Sequence, residues 1–540
     1  MESKIIVSAV SLILVVGVAL GVVALVRTNQ PGDSGGGGDL NAHTKAVKAV
    51  CQNSDDNKFC VDTLSPVNTS DPNDYIKAVV KTSLESVFKA LNLSDKLIIE
   101  NEKKEEPTKM ALEDCKDLLQ FAIDELQASS ILVNDGHGHN PSERAADLKN
   151  WLGAVIAYQQ SCLDGFETEG EKKIQSQLQT GSLDQVEKLT ALALDIVTAV
   201  SQVLASLNLD LNVQPSHRRL FGVDSNGYPE WMTGPDRKLL ADMSTGAAVT
   251  PNVVVAKDGS GQFKTVLEAI NSYPKNHVGR YVIYVKAGVY DEYIQIDKKK
   301  KKILMYGDGP SKTIITGKKN VVDGWKTMRS ATFSTVAEDF ICKAIAFENT
   351  AGASKHQAVA LRVQGDRSAF YDCAMRGYQD TLYAHAHRQF YRNFRKPDAN
   401  QQNIVVADGT IQKNMPTGVV MQNCEIMPEP ALQVDRLKVK SYLARPWKAY
   451  SRAVFMENTI GDLIQPVGFL PWNGNLFLDT CYFAEYANTG PGADLKARVT
   501  WSKGVLSKAD AIKYTASQWL QGGIWLPATG IPFELGFSKP

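Results

Sequence analysis

The sequence lacks a net charge, and it lacks any recognisable nucleic-acid-binding motif. Its 540 residues carry 59 basic and 59 acidic side chains. Residues 1–240 contain 22 Lys and Arg against 33 Asp and Glu, whereas residues 241–540 contain 37 against 26. The basic half favours a polyanion, either nucleic acid or an acidic polysaccharide, although part of the excess is the solvated run Lys298 to Lys302. The missing motif argues against nucleic acid.

Charge is also missing from one long N-terminal segment. Ile5 to Val26 is 22 residues without a charged side chain, and the Gly-rich stretch Gly32 to Gly38 follows it. The apolar region of a cleaved signal peptide has about 7–15 residues, whereas about 20 span a bilayer. We therefore interpret residues 1–30 as a signal-anchor, with a long signal peptide as the alternative, and residues 31–40 as a linker. Either interpretation predicts entry into the secretory pathway.

Cysteine is sparse, and the eight cysteines divide evenly between the two halves. They are Cys51, Cys60, Cys115 and Cys162, followed by Cys342, Cys373, Cys424 and Cys481. Even numbers in an oxidising compartment indicate bridges within each half, but the pairing does not follow from the counts. Glycosylation sequons beginning at Asn68 and Asn92 agree with secretion.

Residues 41–210 show apolar side chains at helical spacing. The period is visible in Asp74 to Leu91, Leu112 to Leu126 and Leu183 to Leu207. Asp74 precedes the first of these runs and is the predicted N-cap. About four such segments joined by short polar loops predict an up-and-down four-helix bundle.

Residues 211–248 have the composition of a linker, with several Pro and Gly residues. Two basic pairs lie in it, Arg218 with Arg219 and Arg237 with Lys238. Exposed dibasic sites in a secreted protein are substrates for a processing protease, so we predict cleavage here. The alternative is a charged linker that is not cut.

Residues 249–540 change to short alternating runs, such as Arg280 to Lys286, Ala358 to Val363 and Gly418 to Gln422. The runs recur about every 20–25 residues without long helices between them, which favours a parallel β-helix built from stacked coils. A β-sandwich is the alternative on pattern alone.

Three motifs in this half carry candidate chemistry: Gln357 opens a strand, Gln379 and Asp380 are adjacent, and Arg445 lies two residues before Trp447. Singly, a Gln-Asp pair is usually a turn, and an Arg near Pro-Trp is usually a packed surface. Together they suit ester hydrolysis on a sugar acid. Amides donate to an oxyanion, a carboxyl group protonates an alkoxide, Arg orients a carboxylate, and Trp supports a sugar ring.

The motifs as written in the sequence resemble those of plant pectin methylesterases. They are FENTAG, HQAVALR, GYQDTLY, ARPW and LPWNG, and the match covers essentially all of residues 250–540. The helical half is similar to the pectin methylesterase inhibitor domain. The resemblance implies a four-helix bundle with Cys51–Cys60 and Cys115–Cys162 disulfides, followed by a right-handed parallel β-helix.

The resemblance also implies roles for individual residues. Asp380 would be the general acid/base, Gln357 and Gln379 the oxyanion hole, and Arg445 the residue that holds the nucleophile. Trp447 would line a galacturonate subsite, as would Thr327 and the side chains of Gln357 and Arg445. The family uses no metal and no organic cofactor. Its substrate is pectin, and its pro-regions are removed at basic motifs such as Arg218-Arg219 and Arg237-Lys238.

The nucleophile of the family is an Asp in a segment resembling GTVDFIFG, which lies one coil after the QDTL motif. No such segment is present: Asn393 is followed directly by Phe394, and the distance from Asp380 to Arg445 is shorter than the family pattern by about 20–25 residues. Asp398 and Asp408 are the carboxylates in this region, and both are predicted to be turn residues.

These features predict a pectin methylesterase precursor that acts on homogalacturonan in the cell wall, with the nucleophile coil deleted. The deletion arises either from a skipped or mis-assigned exon or from a true variant. The alternative function is an inactive homologue that binds pectin or inhibits partner esterases, and an intramolecular contact between the two halves is a further expectation. A pectate lyase would require a calcium-binding cluster of carboxylates, and none is evident.

Overall fold

The computed structural model describes residues 42–52, 54–103, 106–134, 141–206, 250–392, 402–428 and 430–538. These residues form two compact units, a helical unit up to residue 206 and a β unit from residue 250. The predicted signal-anchor, both linkers, the basic residues Arg218, Arg219, Arg237 and Lys238, and Asp398 lie outside the described residues.

The helical unit contains seven described α-helices. They are α1 Ala42–Cys51, α2 Asn57–Leu64, α3 Pro72–Glu100, α4 Glu106–Asn134, α5 Pro141–Asp164, α6 Lys172–Leu178 and α7 Asp184–Ser206. A π-helical turn, Gln179–Leu183, joins α6 to α7. α3 packs against α4 and α7, and α5 packs against the same two helices. None of the helices in the described residues is long and apolar enough to cross a bilayer.

The predicted N-cap at Asp74 is wrong. Asp71 is the N-cap of α3, because its backbone is extended and its side chain accepts a hydrogen bond from the backbone N of Asn73. Pro72 then occupies the first helical position, where its fixed φ and missing N–H cost nothing. Asp74 lies in the first turn instead, where its charge complements the positive end of the helix dipole.

Two disulfides stabilise the helical unit. Cys51 is bonded to Cys60, which ties α1 to α2, and Cys115 is bonded to Cys162, which ties α4 to α5. These are the pairs that the family resemblance implied. The other four cysteines are free thiols in the β unit.

The first part of the β unit is built from short parallel strands. They are β1 Val253–Val255, β2 Tyr281–Val285, β3 Gly288–Asp291, β4 Ile294–Ile296, β5 Ile303–Gly307, β6 Thr313–Gly317, β7 Phe333–Thr335, β8 Ile341–Lys343, β9 Ala346–Asn349, β10 Leu361–Val363, β11 Ser368–Tyr371, β12 Ala374–Arg376, β13 Leu382–Ala384 and β14 Gln389–Arg392. A short helix, α8 Val266–Asn271, follows β1.

The strands recur in cycles of three, and each third strand stacks on its counterpart in the previous cycle. The three resulting sheets have the orders β1-β2-β5-β8-β11-β14, β3-β6-β9-β12 and β4-β7-β10-β13. Phe333, Phe340, Phe347 and Phe370 are fully buried between them. Stacking of this kind buries the apolar face of each coil only against its neighbours, so every coil needs the next one.

The second part of the β unit repeats the pattern on its own. Its strands are β15 Asn403–Val406, β16 Val419–Gln422, β17 Glu425–Ile426, β18 Ser441–Ala444, β19 Arg452–Met456, β20 Thr459–Ile460 and β21 Tyr482–Tyr486. They form the sheets β15-β18, β16-β19-β21 and β17-β20. The remaining short helices are α9 Pro430–Gln433, α10 Lys508–Ala511, α11 Ala516–Trp519 and α12 Gly522–Trp525.

No ladder among the described residues joins a strand before residue 393 to one after residue 401. The apolar cores are separate as well: one includes Phe370 and the other Phe455. The strands beside this interruption are also less buried than the strands next to them. All four residues of β16 are half-buried, whereas four of the five residues of its partner β19 are buried. We call this break the ladder interruption.

The C-terminal segment, residues 506–537, contacts both parts. Trp525, Leu526 and Ile531 pack on the outer face of the first sheet. Leu506 and Phe537 pack on the sheet of β16, β19 and β21. We call this segment the C-terminal strap, because it has apolar contacts with both stacks of coils.

Candidate active site

Gln357 and Gln379 occupy equivalent positions on neighbouring coils. The two residues form a parallel bridge, and the backbone N of Ala358 donates to the carbonyl of Gln379 at 3.1 Å. Both residues are half-buried, and neither side-chain amide hydrogen-bonds to another described residue. Two amides therefore stand side by side with free donors, which is what an oxyanion site requires.

Asp380 lies at the corner that follows Gln379. Its backbone is left-handed, with φ of 58°, a conformation that Asp tolerates better than most residues. The next residue is firmly held, because the carbonyl of Thr381 accepts hydrogen bonds from the backbone N of Ala360 and of Leu361. Asp380 itself is exposed. The corner thus presents an exposed carboxyl group at the residue that follows Gln379.

The coil behind Asp380 is fixed by buried polar contacts. Arg362 Nε donates to His385 Nδ1 at 3.3 Å, and the ring of His385 stacks on Tyr383 with 4.9 Å between centroids. Burial lowers the pKa of His385, and the charge of Arg362 lowers that pKa further. His385 is therefore neutral at physiological pH and acts as a hydrogen-bond acceptor rather than as a cation.

Arg445 follows strand β18, and its backbone N donates to the carbonyl of Val406 at 3.1 Å. Its guanidinium carbon lies 4.0 Å from the ring centroid of Trp472, in a cation–π contact. Burial lowers the pKa of Arg445, while the negative charge of Asp380 acts in the opposite direction. The structure therefore brings the Asp380 and Arg445 motifs into one electrostatic neighbourhood.

The Arg445 side chain has no hydrogen-bond partner among the described residues. Its Nε is fully buried and unpaired, and no bond to its Nη nitrogens is present either. A buried donor without a partner costs about 1–3 kcal/mol, and more for a charged group. Such a group indicates either a missing partner or a ligand site.

Trp447 packs its ring against the backbone of Gly409. A Cβ on Gly409 would lie 2.9 Å from Cε3 of the indole, so only glycine admits the ring in this position. Lys448 Nζ lies 5.0 Å from the ring centroid. Trp447 remains half-buried, which leaves part of the indole exposed as a flat apolar surface.

Thr327 begins a 3₁₀ turn, Thr327–Ser330. This turn is tied to the strand region after Gln357, because Ser330 Oγ accepts from the backbone N of Val359 at 3.0 Å. Gln357 is held from the same side, since its carbonyl accepts from the backbone N of Val321. The role of Thr327 in substrate binding stays a prediction.

Asp408 has the geometry of a turn residue. Its Oδ2 accepts hydrogen bonds from the backbone N of Thr410 at 3.1 Å and from that of Arg452 at 2.8 Å. Burial raises the pKa of this carboxyl group. The carboxylate is engaged with the backbone at the start of the second stack, which does not suit a nucleophile.

The sequence analysis assigned no role to Trp472, although it quoted the motif LPWNG that contains it. The structure makes Trp472 the residue that orients Arg445. The signal in the sequence was an aromatic side chain among glycine and asparagine, where no strand would bury it. In residues 250–392, 402–428 and 430–538 no group of His, Cys, Asp and Glu side chains is arranged as a metal site.

The comparisons with known proteins agree on the family. Residues 252–395 and 393–523 match the family model described as Pectinesterase, and residues 45–196 match the model described as Plant invertase/pectin methylesterase inhibitor. The site and fold thus define an esterase domain preceded by an inhibitor-like domain. The chain belongs to the pectinesterase/pectinesterase inhibitor family, and the resemblance inferred from its motifs is confirmed.

Individual relatives extend the match over nearly the whole chain. The probable pectinesterase/pectinesterase inhibitor 21 of Arabidopsis thaliana is 38% identical over 565 residues, covering 99% of this chain and 83% of the relative. The pectinesterase/pectinesterase inhibitor U1 of Solanum lycopersicum is 39% identical over 575 residues, covering 99% and 97%. The solved structure of pectin methylesterase from carrot is 45% identical, with a TM-score of 0.52, and covers 54% of this chain and 99% of its own.

Proposed function

We propose that the chain is a pectin methylesterase precursor, and that its β unit is a right-handed parallel β-helix built for hydrolysing the methyl esters of homogalacturonan to carboxylates and methanol. The adjacent amides of Gln357 and Gln379, with Asp380 at the next corner and Arg445 within its electrostatic reach, are the observation that carries this proposal. Trp447 offers the flat surface that a sugar ring requires.

The family reaction assigns each of these groups a step. A nucleophilic carboxylate attacks the ester carbonyl, and the Gln357 and Gln379 amides donate to the oxyanion that forms. Asp380 protonates the departing methoxide as methanol, which leaves an acyl-enzyme. The same carboxylate then accepts a proton from the water that attacks the acyl group. Arg445 holds the nucleophile in this scheme.

We propose further that this chain cannot complete that reaction, because the coil with the nucleophile is deleted. Three observations support this. Arg445, which would hold the nucleophile, has no partner among the described residues. The ladder interruption falls between residues 392 and 402. The pectinesterase family model matches in two segments that meet at residues 393–395.

The N-terminal half would act as an inhibitor-like pro-domain, a four-helix bundle in residues 41–210. We propose that it enters the secretory pathway with the esterase half and is separated from it by a protease at Arg218-Arg219 or Arg237-Lys238. Pectin in the cell wall would be the ligand of the esterase half. An intramolecular contact between the halves before cleavage is part of this proposal.

Methanol release from methyl-esterified pectin tests the catalytic proposal. The full chain and the tomato relative, expressed and secreted in the same host, are assayed side by side. Loss of a catalytic nucleophile lowers turnover by about 10⁴-fold or more, so we expect methanol from the relative and none from this chain above background. Normal turnover by this chain would contradict the deletion proposal.

Sequencing of cDNA and genomic DNA across the codons for Gln389 to Gln401 decides the origin of the deletion. A dominant longer transcript that encodes a DFIFG-like coil would assign the deletion to a skipped or mis-assigned exon. A short form alone would establish a true variant.

The second candidate function is a non-catalytic wall protein that binds pectin or inhibits partner esterases. The retained side chains favour it, because the amides of Gln357 and Gln379 and the guanidinium of Arg445 have no hydrogen-bond partner among the described residues. With the exposed part of Trp447 they are binding groups that do not need the nucleophile. Addition of this chain to the tomato relative should then lower methanol release by that enzyme, or pull-down on pectin should retain this chain.

A further inference from the structure

The guanidinium of Arg445 has no hydrogen-bond partner among the described residues. This bears on whether the site favours a methyl ester or a free carboxylate. The Nε of Arg445 is buried without a partner, and no described residue accepts from its Nη nitrogens. The residue is only half-buried, so a ligand can approach it from solvent. A charged planar donor in this state gains most from a ligand that brings an anionic acceptor.

The position of this guanidinium is fixed before any ligand arrives. The Trp472 ring lies 4.0 Å from the guanidinium carbon, and the backbone N of Arg445 is bonded to Val406. An Arg side chain that is already stacked loses less conformational entropy on binding than a free one. The fork is thus preorganised for two parallel hydrogen bonds to one carboxylate.

A methyl ester and a free carboxylate differ at this site in how well they accept hydrogen bonds from Arg445. The ester is neutral and offers Arg445 only weak acceptors, whereas the carboxylate matches the guanidinium in charge and in planar geometry. Asp380 is the one carboxylate among the described residues that raises the pKa of Arg445. It is exposed, so water screens its repulsion of an incoming anion.

We propose that Arg445 binds the free carboxylate of a uronic acid residue, so that this chain prefers the de-esterified polysaccharide to the methyl-esterified one. The inference rests on the proposed function, since it takes the cleft to be the pectin-binding cleft. Members of the family act on the methyl ester. We expect this chain to bind the free acid, which is the product of the family reaction, more tightly than the ester.

Binding of two matched probes to the full-length chain tests this proposal. The probes are a galacturonic acid hexamer with free carboxylates and the same hexamer fully methyl-esterified, measured by calorimetry at equal ionic strength. Hydrogen bonds to charged groups contribute about 1.5–3 kcal/mol, so we expect the free acid to bind about tenfold to hundredfold more tightly. Sodium acetate, added as a competitor, separates recognition of the sugar acid from recognition of any carboxylate.

Variants locate the effect at Arg445. Arg445→Gln should lower the affinity for the acid by about the same tenfold to hundredfold and so remove the preference, and Arg445→Lys, which keeps the charge without the fork, should restore part of it. Asp380→Asn should change the affinity for the acid less than Arg445→Gln does, because water screens the charge of this exposed carboxylate. Lys438→Gln is the matched control, because this side chain is 80% exposed in a surface pair with Asp435 and its loss removes the same charge. Thermal unfolding of each variant confirms that it is folded.

The outcomes distinguish failure of this inference from failure of the proposal that the chain binds pectin. Equal affinity for both hexamers, or an acid preference that survives Arg445→Gln, would overturn the inference while pectin binding stands. Tighter binding of the ester would overturn it as well. Failure of both hexamers to bind would overturn the inference together with the proposal that the cleft binds pectin. Displacement of the acid hexamer by dilute acetate would show a general anion site and overturn the assignment to a uronic acid.

Discussion

Replacement of Asp366 by Asn should destabilise the last coils before the ladder interruption. Asp366 is 4% exposed. Its Oδ1 accepts from the backbone N of Arg388 at 3.1 Å and from Nε of the same residue at 3.0 Å, and its Oδ2 accepts from Arg367 Nη1 at 3.0 Å. Arg388 directly precedes strand β14, so this carboxylate anchors the edge strand of the first stack.

The expected cost follows from burial. Removing one partner of a buried ion pair costs about 3–5 kcal/mol, because the other charge remains buried without compensation. Arg367 keeps two hydrogen bonds to Asp339, at 2.7 and 3.2 Å, so the lower end of this range applies. At 1.4 kcal/mol per factor of ten, amide hydrogen exchange in β11 and β14 should accelerate by about two decades.

The effect should depend on pH in a defined direction. The charges of Arg388 and Arg367 hold the pKa of Asp366 well below its usual value, although burial alone would raise it. A carboxyl group with a lowered folded-state pKa stabilises the fold above its unfolded pKa of about 4, and this contribution is lost as the pH falls through the folded pKa. The difference between the native protein and Asp366→Asn should therefore be full at pH 7 and shrink below pH 4.

Asp435→Asn is the control for this experiment. The Asp435 side chain is 51% exposed and pairs with Lys438 at the surface, where an ion pair contributes about 0–1 kcal/mol. Exchange in β11 and β14 should not change in this variant. The role of Asp366 as an anchor of β14 is refuted if Asp366→Asn leaves the amides of β14 as protected from exchange as in the native protein. It is also refuted if this variant accelerates exchange no more than Asp435→Asn does.

Three further predictions concern packing and thiol chemistry. Gly365→Ala should destabilise the first stack, because the added Cβ would lie 2.0 Å from the carbonyl oxygen of Ala337; urea unfolding followed by β-sheet circular dichroism measures this, and an unchanged midpoint would contradict it. Phe483→Ala should lower the free energy of unfolding of the second stack by about 3–5 kcal/mol, because the ring is fully buried between Phe469 and Trp501. Amide hydrogen exchange in β19 and β21 measures this change. A loss below about 1 kcal/mol would contradict the prediction and mean that the site collapses around the cavity. The three buried free thiols, Cys342, Cys373 and Cys481, should resist alkylation at pH 8 in the native protein and react fully in urea, because burial excludes the reagent and raises the pKa of Cys481 to about 11. Rapid native labelling of these three would refute their burial.

The sequence predicted where helices and strands lie better than it predicted which of them contact each other. Period-3.6 and period-2 patterns located helices and strands, because burial of one face leaves a local trace in the order of residues. Boundaries were less certain: Ala358 to Val363 was predicted to be a strand, yet β10 begins at Leu361. Ala358 and Ala360 donate to Gln379 and Thr381 at a coil corner instead, and such corner contacts have no periodic signature.

Contacts between distant residues were beyond the sequence patterns. The stack of Arg445 on Trp472 depends on how two coils are placed, and so does the absence of a partner for Nε of Arg445 among the described residues. The 3.7 Å separation of the Cys342 and Cys373 sulfurs depends on the stacking of neighbouring coils in the same way. The roles proposed for Gln357, Gln379 and Asp380 came from the family resemblance, because a motif records chemistry that residue periodicity does not.

The C-terminal strap has a consequence for how the protein is made. It follows both stacks in the chain, so both stacks of coils leave the ribosome before the segment that contacts them both. At about 5–20 residues per second, nascent chains spend seconds in such intermediate states. Throughout that interval the half-buried strands on either side of the ladder interruption remain open edges, which are templates for pairing with other chains. The yield of folded protein should therefore depend on chaperones that cover these edges during that interval.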